Sequence, residues 1–356
     1  MLESMEADRA FIAENDARIL ELEAEIYALR CSIALLEHAK KPAQERLDSY
    51  KYPISTLPPE IVAEVFLHFL PTYPEPPPLV GPDSPTILAE ICRQWREIAL
   101  SLPALWSAIP LTSTVKTVTS LAPVWLERSG CLPVSITATD DDELFPVFCN
   151  LIPHCDRWEH LKLSLENTDN IDALNVPMPL LSSLDIYLGN QCLSESTPLD
   201  LQRRLPSLRS VILDDYGRPS FILPWSQLTS LTLRYMYPRQ CMLILQQTLH
   251  LEHLVLSFLE PGYRPDEFPD TVLKRLESLH FEKRSHLNAV FSTKLVTPAL
   301  LRLHFAILVD SDPIEPLKAF IAKSGCLLHE LRVSEDSVSE DACREAFPLI
   351  PNIILC

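Results

Sequence analysis

Glycine is scarce in this chain of 356 residues: six occur, where ordinary usage of about 7% would give roughly 25. They stand far apart, at Gly81, Gly130, Gly189, Gly217, Gly262 and Gly325. A phosphate-cradling loop needs clustered glycines for close backbone approach, so P-loop, kinase and Rossmann chemistry are excluded. Runs of Lys and Arg are also missing. The chain carries 30 basic and 48 acidic residues, a formal net charge of −18. A nucleic-acid binder presents a basic face to replace phosphate counterions, and an anionic membrane attracts one. Neither partner is expected here. No stretch approaches the roughly 18 uninterrupted apolar residues of a membrane span. The opening Met1-Leu2-Glu3-Ser4 is acidic, without the basic-then-apolar order of a signal peptide. Cys356 is the last residue, so no prenylation box follows it. The ten cysteines contain no CxxC pair, which reads as free or buried thiols in a reducing compartment. The expected location is cytoplasmic, nuclear or both.

Proline is abundant, with 32 copies, and the composition is globular, 47% hydrophobic and 22% charged. The length fits about two or three domains. Residues 1–50 show a heptad pattern: Ile12, Ile19, Ile26 and Ile33 fall at a, and Leu22, Leu29 and Leu36 at d. Ile at a with Leu at d favours a parallel two-stranded coil. Arg18 at g would face Glu23 at e of a partner, and Glu25 would face Arg30. Asn15 takes a d position and weakens the first heptad. A homodimer through residues 12–36 is one reading. The alternatives are a helix packed on its own chain or a lone solvated helix. Pro42 interrupts the pattern, after which a helix could restart towards Tyr50.

From Ile54 the chain reads Leu57-Pro58-Pro59-Glu60-Ile61-Val62, then Val65-Phe66-Leu67. Ser55 or Thr56 could cap a helix that Pro58 or Pro59 opens. Ile61, Val65 and Phe69 share one face, with Val62 and Phe66 beside it. Residues 71–87 hold seven prolines and cannot be helical. A second helix is expected over Leu88, Ile91, Cys92, Trp95, Ile98, Ala99 and Leu102, followed by Leu105-Trp106. So small a unit cannot hide this much apolar surface alone, which suggests a partner.

These three blocks, over residues 54–109, closely resemble the F-box, in particular the F-box-like proteins expanded in fungi. The resemblance implies a small helical module that docks on the Skp-type adaptor of a cullin-RING ubiquitin ligase. It implies that Leu57, Pro58 and Ile61 enter the adaptor, with Val65, Cys92, Trp95 and Trp106 at or beneath the interface. The competing role for these side chains is the module's own core, and it applies most to Trp95 and Trp106. The long Pro-rich loop 71–87 departs from the pattern and is expected to loop out.

The remainder repeats. Leu-x-x-Leu-x-Leu segments align on Leu161, Leu184, Val211, Leu231, Leu254, Leu279, Leu303, Leu331 and Ile353, at spacings of 20 to 28 residues. That range fits leucine-rich repeats, here degenerate because the asparagine-bearing signature is missing. The fold class expected is therefore multidomain α plus α/β. A coiled-coil helix over 1–50 and a small helical F-box lead through a transition over 110–150. That transition holds strands near Ile109–Leu111 and Val134–Ile136. A leucine-rich-repeat solenoid with a parallel concave sheet then spans 151–356. Residues flanking each central Leu face outward, since strand side chains alternate. Tyr187, Arg234, His253, His280, Arg302, His304 and Arg332 are the candidates there for binding a target protein, and basic groups gather at the C-terminal end of the strip.

No HExxH or GxSxG motif is present, and no catalytic residue is assigned. Cys149, His154, Cys155 and His160 are the nearest approach to a metal set, but their spacing matches no usual structural site. The run Asp140–Glu143 reads as a solvated loop tip. No cofactor is expected. The functional expectation is a non-catalytic substrate receptor of a Skp-cullin-F-box ligase. The alternative is an interaction scaffold with a vestigial or adaptor-only F-box. A metal-dependent hydrolase is the third, requiring bound metal in the purified protein.

Overall fold

The computed structural model describes residues 2–49, 57–112, 114–139, 144–165, 172–188, 198–215, 221–258, 269–282, 291–306, 314–333 and 340–355. The proposed cap at Ser55 or Thr56 and the acidic run Asp140–Glu143 lie outside them. The chain divides into two compact units, Met1–Pro58 and Pro59–Cys356.

Among the described residues the first unit holds one helix, α1 (Leu2–Ser49). It does not stop at Pro42. Proline in a helix interior lacks the N–H for the carbonyl four residues back, and the helix runs on through that lost bond. Every described side chain of α1 except Ala43 is exposed. The heptad residues Ile12 through Leu36 are 42–70% exposed.

The second unit begins with α2 (Pro59–Phe69), opened by Pro59 at its first position. The second helix expected from the sequence is broken in two, α3 (Leu88–Ile91) and α4 (Arg93–Leu100). Cys92 is the break. Its backbone is extended (φ −155°, ψ 169°), and its Sγ accepts the Trp95 N–H at 3.4 Å, so it caps α4. Val62 and Phe66 of α2 are buried, and Phe66 meets the edge of Trp95 at 5.0 Å between ring centroids.

An 11-stranded, all-parallel sheet follows. Its strands are β1 (Ala108–Leu111), β2 (Val134–Thr139), β3 (Trp158–Leu165), β4 (Ser183–Leu188), β6 (Ser210–Asp215), β8 (Ser230–Met236), β9 (His253–Phe258), β11 (Ser278–Phe281), β13 (Arg302–Phe305), β14 (Glu330–Val333) and β15 (Asn352–Leu355). The register places Ile109, Ile136, Leu161, Leu184, Val211, Leu231, Leu254, Leu279, Leu303, Leu331 and Ile353 in one row. Nine of these are the repeat centres aligned from the sequence, and Ile109 and Ile136 of the 110–150 region and its border extend the row by two. Every member is buried. A fully buried Leu, Ile or Val contributes about 1.5–3 kcal/mol, so the row is a continuous hydrophobic spine. The repeats also share a hydrogen-bond signature. The carbonyl before one strand accepts two N–H groups from the next, as Arg209 O does from Thr229 and Ser230 and Thr229 O does from Glu252 and His253.

Helices α5 (Val115–Arg128), α6 (Phe145–Leu151), α7 (Pro238–Leu245), α8 (Ile314–Ser324) and α9 (Glu340–Ala346) connect the strands. Two short parallel pairs supplement them: β5 (Leu199–Asp200) with β7 (Phe221–Ile222), and β10 (Thr271–Val272) with β12 (Leu295–Val296). Helical solenoid connections and a parallel sheet together give the α/β repeat architecture expected.

The Pro-rich segment does not loop out. Leu79 is fully buried, and Ser84 Oγ donates to the Leu79 carbonyl at 2.9 Å while capping the 3-10 turn Pro85–Ile87. Tyr73 hydroxyl donates to Glu159 at 3.0 Å and its ring meets His160 edge-on at 5.1 Å. Ser135 Oγ donates to the Pro74 carbonyl at 2.8 Å. Proline removes helix as an option but leaves the carbonyls free to accept. The segment therefore docks on the sheet through its side chains and those carbonyls.

Candidate functional site

Two surfaces hold the residues singled out from the sequence. The first is the helical module. On α2, Val62 and Phe66 face inward, while Ile61 is 51% and Val65 is 53% exposed. Phe69 is exposed as well, at 38%. Leu57 and Pro58, which end the first unit, are exposed. Helical spacing i, i+4, i+8 thus leaves a branched and aromatic stripe in water beside a buried one. Cys92 and its neighbour Ile91 are exposed too. Trp95 is half-buried, held by Phe66.

Trp106 takes the core position that its sequence context also allowed. It is fully buried, its Nε1 donates to the Ala99 carbonyl at 3.0 Å, and its ring meets Trp125 at 5.4 Å. The Arg128 guanidinium sits 4.6 Å over it, a cation–π contact. Trp106 supports the module from inside. Phe69 and Ile91 are two exposed apolar residues of the module that lie outside the set the motif marks for the adaptor. The apolar periodicity of α2 carries the signal for Phe69. Ile91 gives none, because only the break at Cys92 turns it outward.

The second surface is the polar face of the sheet, made by the residues flanking the buried row. His160, Asp185, Ile212, His280 and His304 are half-buried, and Lys162, Tyr187, His253, Arg302 and Arg332 are exposed. Register aligns Lys162 with Asp185 across β3 and β4, 3.6 Å apart. Burial holds the Asp185 carboxyl above the usual carboxylate range, against the opposing pull of Lys162 and Arg234.

At the middle of the face Tyr235 adopts φ +54° and a bulge shifts the register of β8. Such bulges re-aim side chains. Here the preceding Arg234 reaches two strands across and donates to both carboxylate oxygens of Glu282, at 2.7 and 2.8 Å. This bidentate geometry is the stronger form of ion pair. The candidate Arg234 is therefore committed to Glu282 and Asp214.

Towards the C-terminal strands, His280 and His304 are paired in register and stacked, centroids 4.2 Å apart. Burial lowers both imidazoles, and the neighbouring His280 and Arg332 lower His304 further, to about 4. Both rings are neutral near pH 7. The sequence places a cluster of basic groups here. Of that group Arg302 and Arg332 carry the charge, and Arg332 donates to Glu330 at 2.6 Å.

The four residues weighed as a metal set are not assembled as one. Cys155 Sγ donates to the Pro177 carbonyl at 3.3 Å, and burial raises its thiol and that of Cys149. His160 instead packs with Tyr73. Among the described residues no group of three or more His, Cys, Asp or Glu is placed to hold a metal ion. None of the described helices is long and apolar enough to cross a membrane. No protein-family model and no curated protein matches this chain.

Proposed function

We propose that this protein is a substrate receptor of a Skp-cullin-F-box ubiquitin ligase. The module over residues 54–109 docks the Skp-type adaptor and through it the cullin, and the repeat sheet holds a target protein. The observation that supports this most is the uncovered stripe Ile61, Val65 and Phe69 on α2, opposite the buried Val62 and Phe66. A helix that needed only to complete its own core would leave polar residues there. In this reading Leu57, Pro58, Ile61 and Val65 make the contact, Cys92 and Trp95 border it, and Trp106 braces it from within. The receptor forms no bonds itself. It raises the local concentration of target near the charged conjugating enzyme.

The exposed a/d stripe of α1 supports a second assignment within the same reading. It pairs in parallel with α1 of a second copy, with Arg18 opposite Glu23 and Glu25 opposite Arg30 of the partner helix. Two receptors then share one ligase.

The test is capture of the Skp-type adaptor by the full chain and by a Leu57→Ala/Pro58→Ala variant whose circular dichroism is unchanged. Capture by the intact chain and its loss in the variant are expected. Proteins bound to the intact chain should then accumulate when the ligase is inhibited. Capture without such accumulation would mark an adaptor-binding scaffold, and failure of the folded intact chain to capture the adaptor would remove the ligase role.

A further inference from the structure

The Pro-rich segment crosses the polar face of the sheet at its N-terminal strands, and a cleft of about 170 Å³ lies between them. We propose that this cleft receives the cationic side chain, lysine or arginine, of a protein bound on the polar face. The proposal deepens the target-binding half of the functional reading and does not depend on adaptor docking.

The walls match both parts of such a side chain. Pro74, Pro76 and Ile212 offer apolar surface, which suits the methylene stem. Glu75 and Asp185 offer carboxylates to the charged head. Lys162 is the one cation among the described lining residues. Its pair with Asp185 is long, and its side chain is 59% exposed, so the pair is weak and leaves Asp185 able to accept again. Glu159 adds a further negative charge behind Tyr73. Two carboxylates of the lining and a third behind it stand against the Lys162 ammonium and the more distant Arg234, which is itself committed to Glu282 and Asp214.

His160 supplies an independent observation. Its Nδ1 is buried and has no hydrogen-bond partner among the described residues. Its Nε2 lies 3.9 Å from Glu159. Burial lowers the imidazole, so it is neutral at pH 7. With the proton on Nε2, facing Glu159, Nδ1 is left as an acceptor. The neutral ring beside the cleft thus brings an acceptor and no positive charge, which favours a cation over an anion there.

The strap is part of the site and not merely near it. Tyr73 on Glu159 and His160, and the Pro74 carbonyl on Ser135, hold Pro74 and Glu75 in place over the strands. The segment that departs from the family pattern thus becomes a wall for recognition.

Ile212 provides the readout, because its side chain lines the cleft. The full chain, methyl-labelled at isoleucine, is titrated with N-acetyl-arginine amide and, separately, with N-acetyl-glutamate amide. The arginine compound should shift the Ile212 methyl resonance saturably, and the glutamate compound should not. Asp185→Asn should weaken the response about tenfold or more, as expected for losing a charge-assisted hydrogen bond. Ser135→Ala, which frees the Pro74 carbonyl, should weaken it less. Equal responses to both compounds, no response to arginine, or an undiminished response in Asp185→Asn would overturn the proposal. Adaptor capture is measured on the same variants. A silent cleft with capture intact would sink the cleft and leave the receptor reading standing.

Discussion

Helix α1 and the repeat sheet are both built on a regular apolar row, yet they treat it in opposite ways. In the sheet, each central Leu is buried against the equivalent residue of the next repeat, from Ile109 to Ile353. In α1, the equally regular Ile and Leu positions all remain exposed. The difference is one of supply. A repeat array brings its own next layer, so its periodicity is satisfied within the chain. A heptad seam has only one helix to offer and, in the dimer proposed above, is satisfied by another chain. Helix α2 stands between the two, with one face consumed by Phe66 and Trp95 and the other left open. Exposure of a patterned face, rather than pattern alone, marks where a partner belongs.

The comparison is broken most severely from inside the sheet. Leu331→Ala removes a fully buried spine residue and should cost about 2–5 kcal/mol, read as a lower urea midpoint. Leu29→Ala makes the same chemical change on α1, where the side chain is 58% exposed. It should leave that unfolding transition unmoved. A comparable loss in both would mean that α1 is packed as tightly as the spine.

Ile26→Lys with Leu29→Lys should act on association instead. Sedimentation should then fall from twice 40.3 kDa to once that mass, with the sheet's melt unchanged. An intact chain that already sediments as a monomer would refute the seam. A smaller effect is expected from Ser84→Ala, which removes a cap and the bond to Leu79 from the base of the strap. Its cost should be about 1 kcal/mol, measured by chemical denaturation.

A further effect is in pH. His304 is held down at about 4 in the folded protein, from its ordinary 6.5, and His280 is lowered in the same direction. Between those values the unfolded chain binds more protons than the folded one, so stability rises with pH. It is fully present above 6.5 and is lost as the pH falls towards 4. His304→Gln should flatten that slope in thermal melts taken across this window. An unchanged slope would place the pH sensitivity elsewhere.

Much of this architecture was legible in the sequence because the repeats state their own register. The repeat centres from Leu161 to Ile353 coincide with the row that the strands form. Strands β1 and β2 were legible near Ile109–Leu111 and Val134–Ile136, but their place in the row was not, since Ile109 and Ile136 lack the full Leu-x-x-Leu-x-Leu spacing around them. What failed was local. The break at Cys92 depends on a thiol acting as a helix cap, for which apolar spacing gives no cue. Continuity of α1 through Pro42 depends on the helix on both sides outweighing one lost bond. The strap was illegible because its contacts are long-range: Tyr73 meets Glu159 and His160, and Pro74 meets Ser135. Candidate site residues were placed on the correct face of their strands. Their commitments, such as Arg234 to Glu282, depend on a bulge at Tyr235 that no motif announces.

The most direct test of the account is calorimetric titration of the Skp-type adaptor into the full chain and into an Ile61→Asp/Val65→Asp variant. Both side chains are more than half exposed, so the variant should unfold at the temperature of the intact protein. The account predicts saturable binding to the intact chain and none to the variant. Binding that survives both substitutions, or a well-folded intact chain that binds no adaptor, would contradict it.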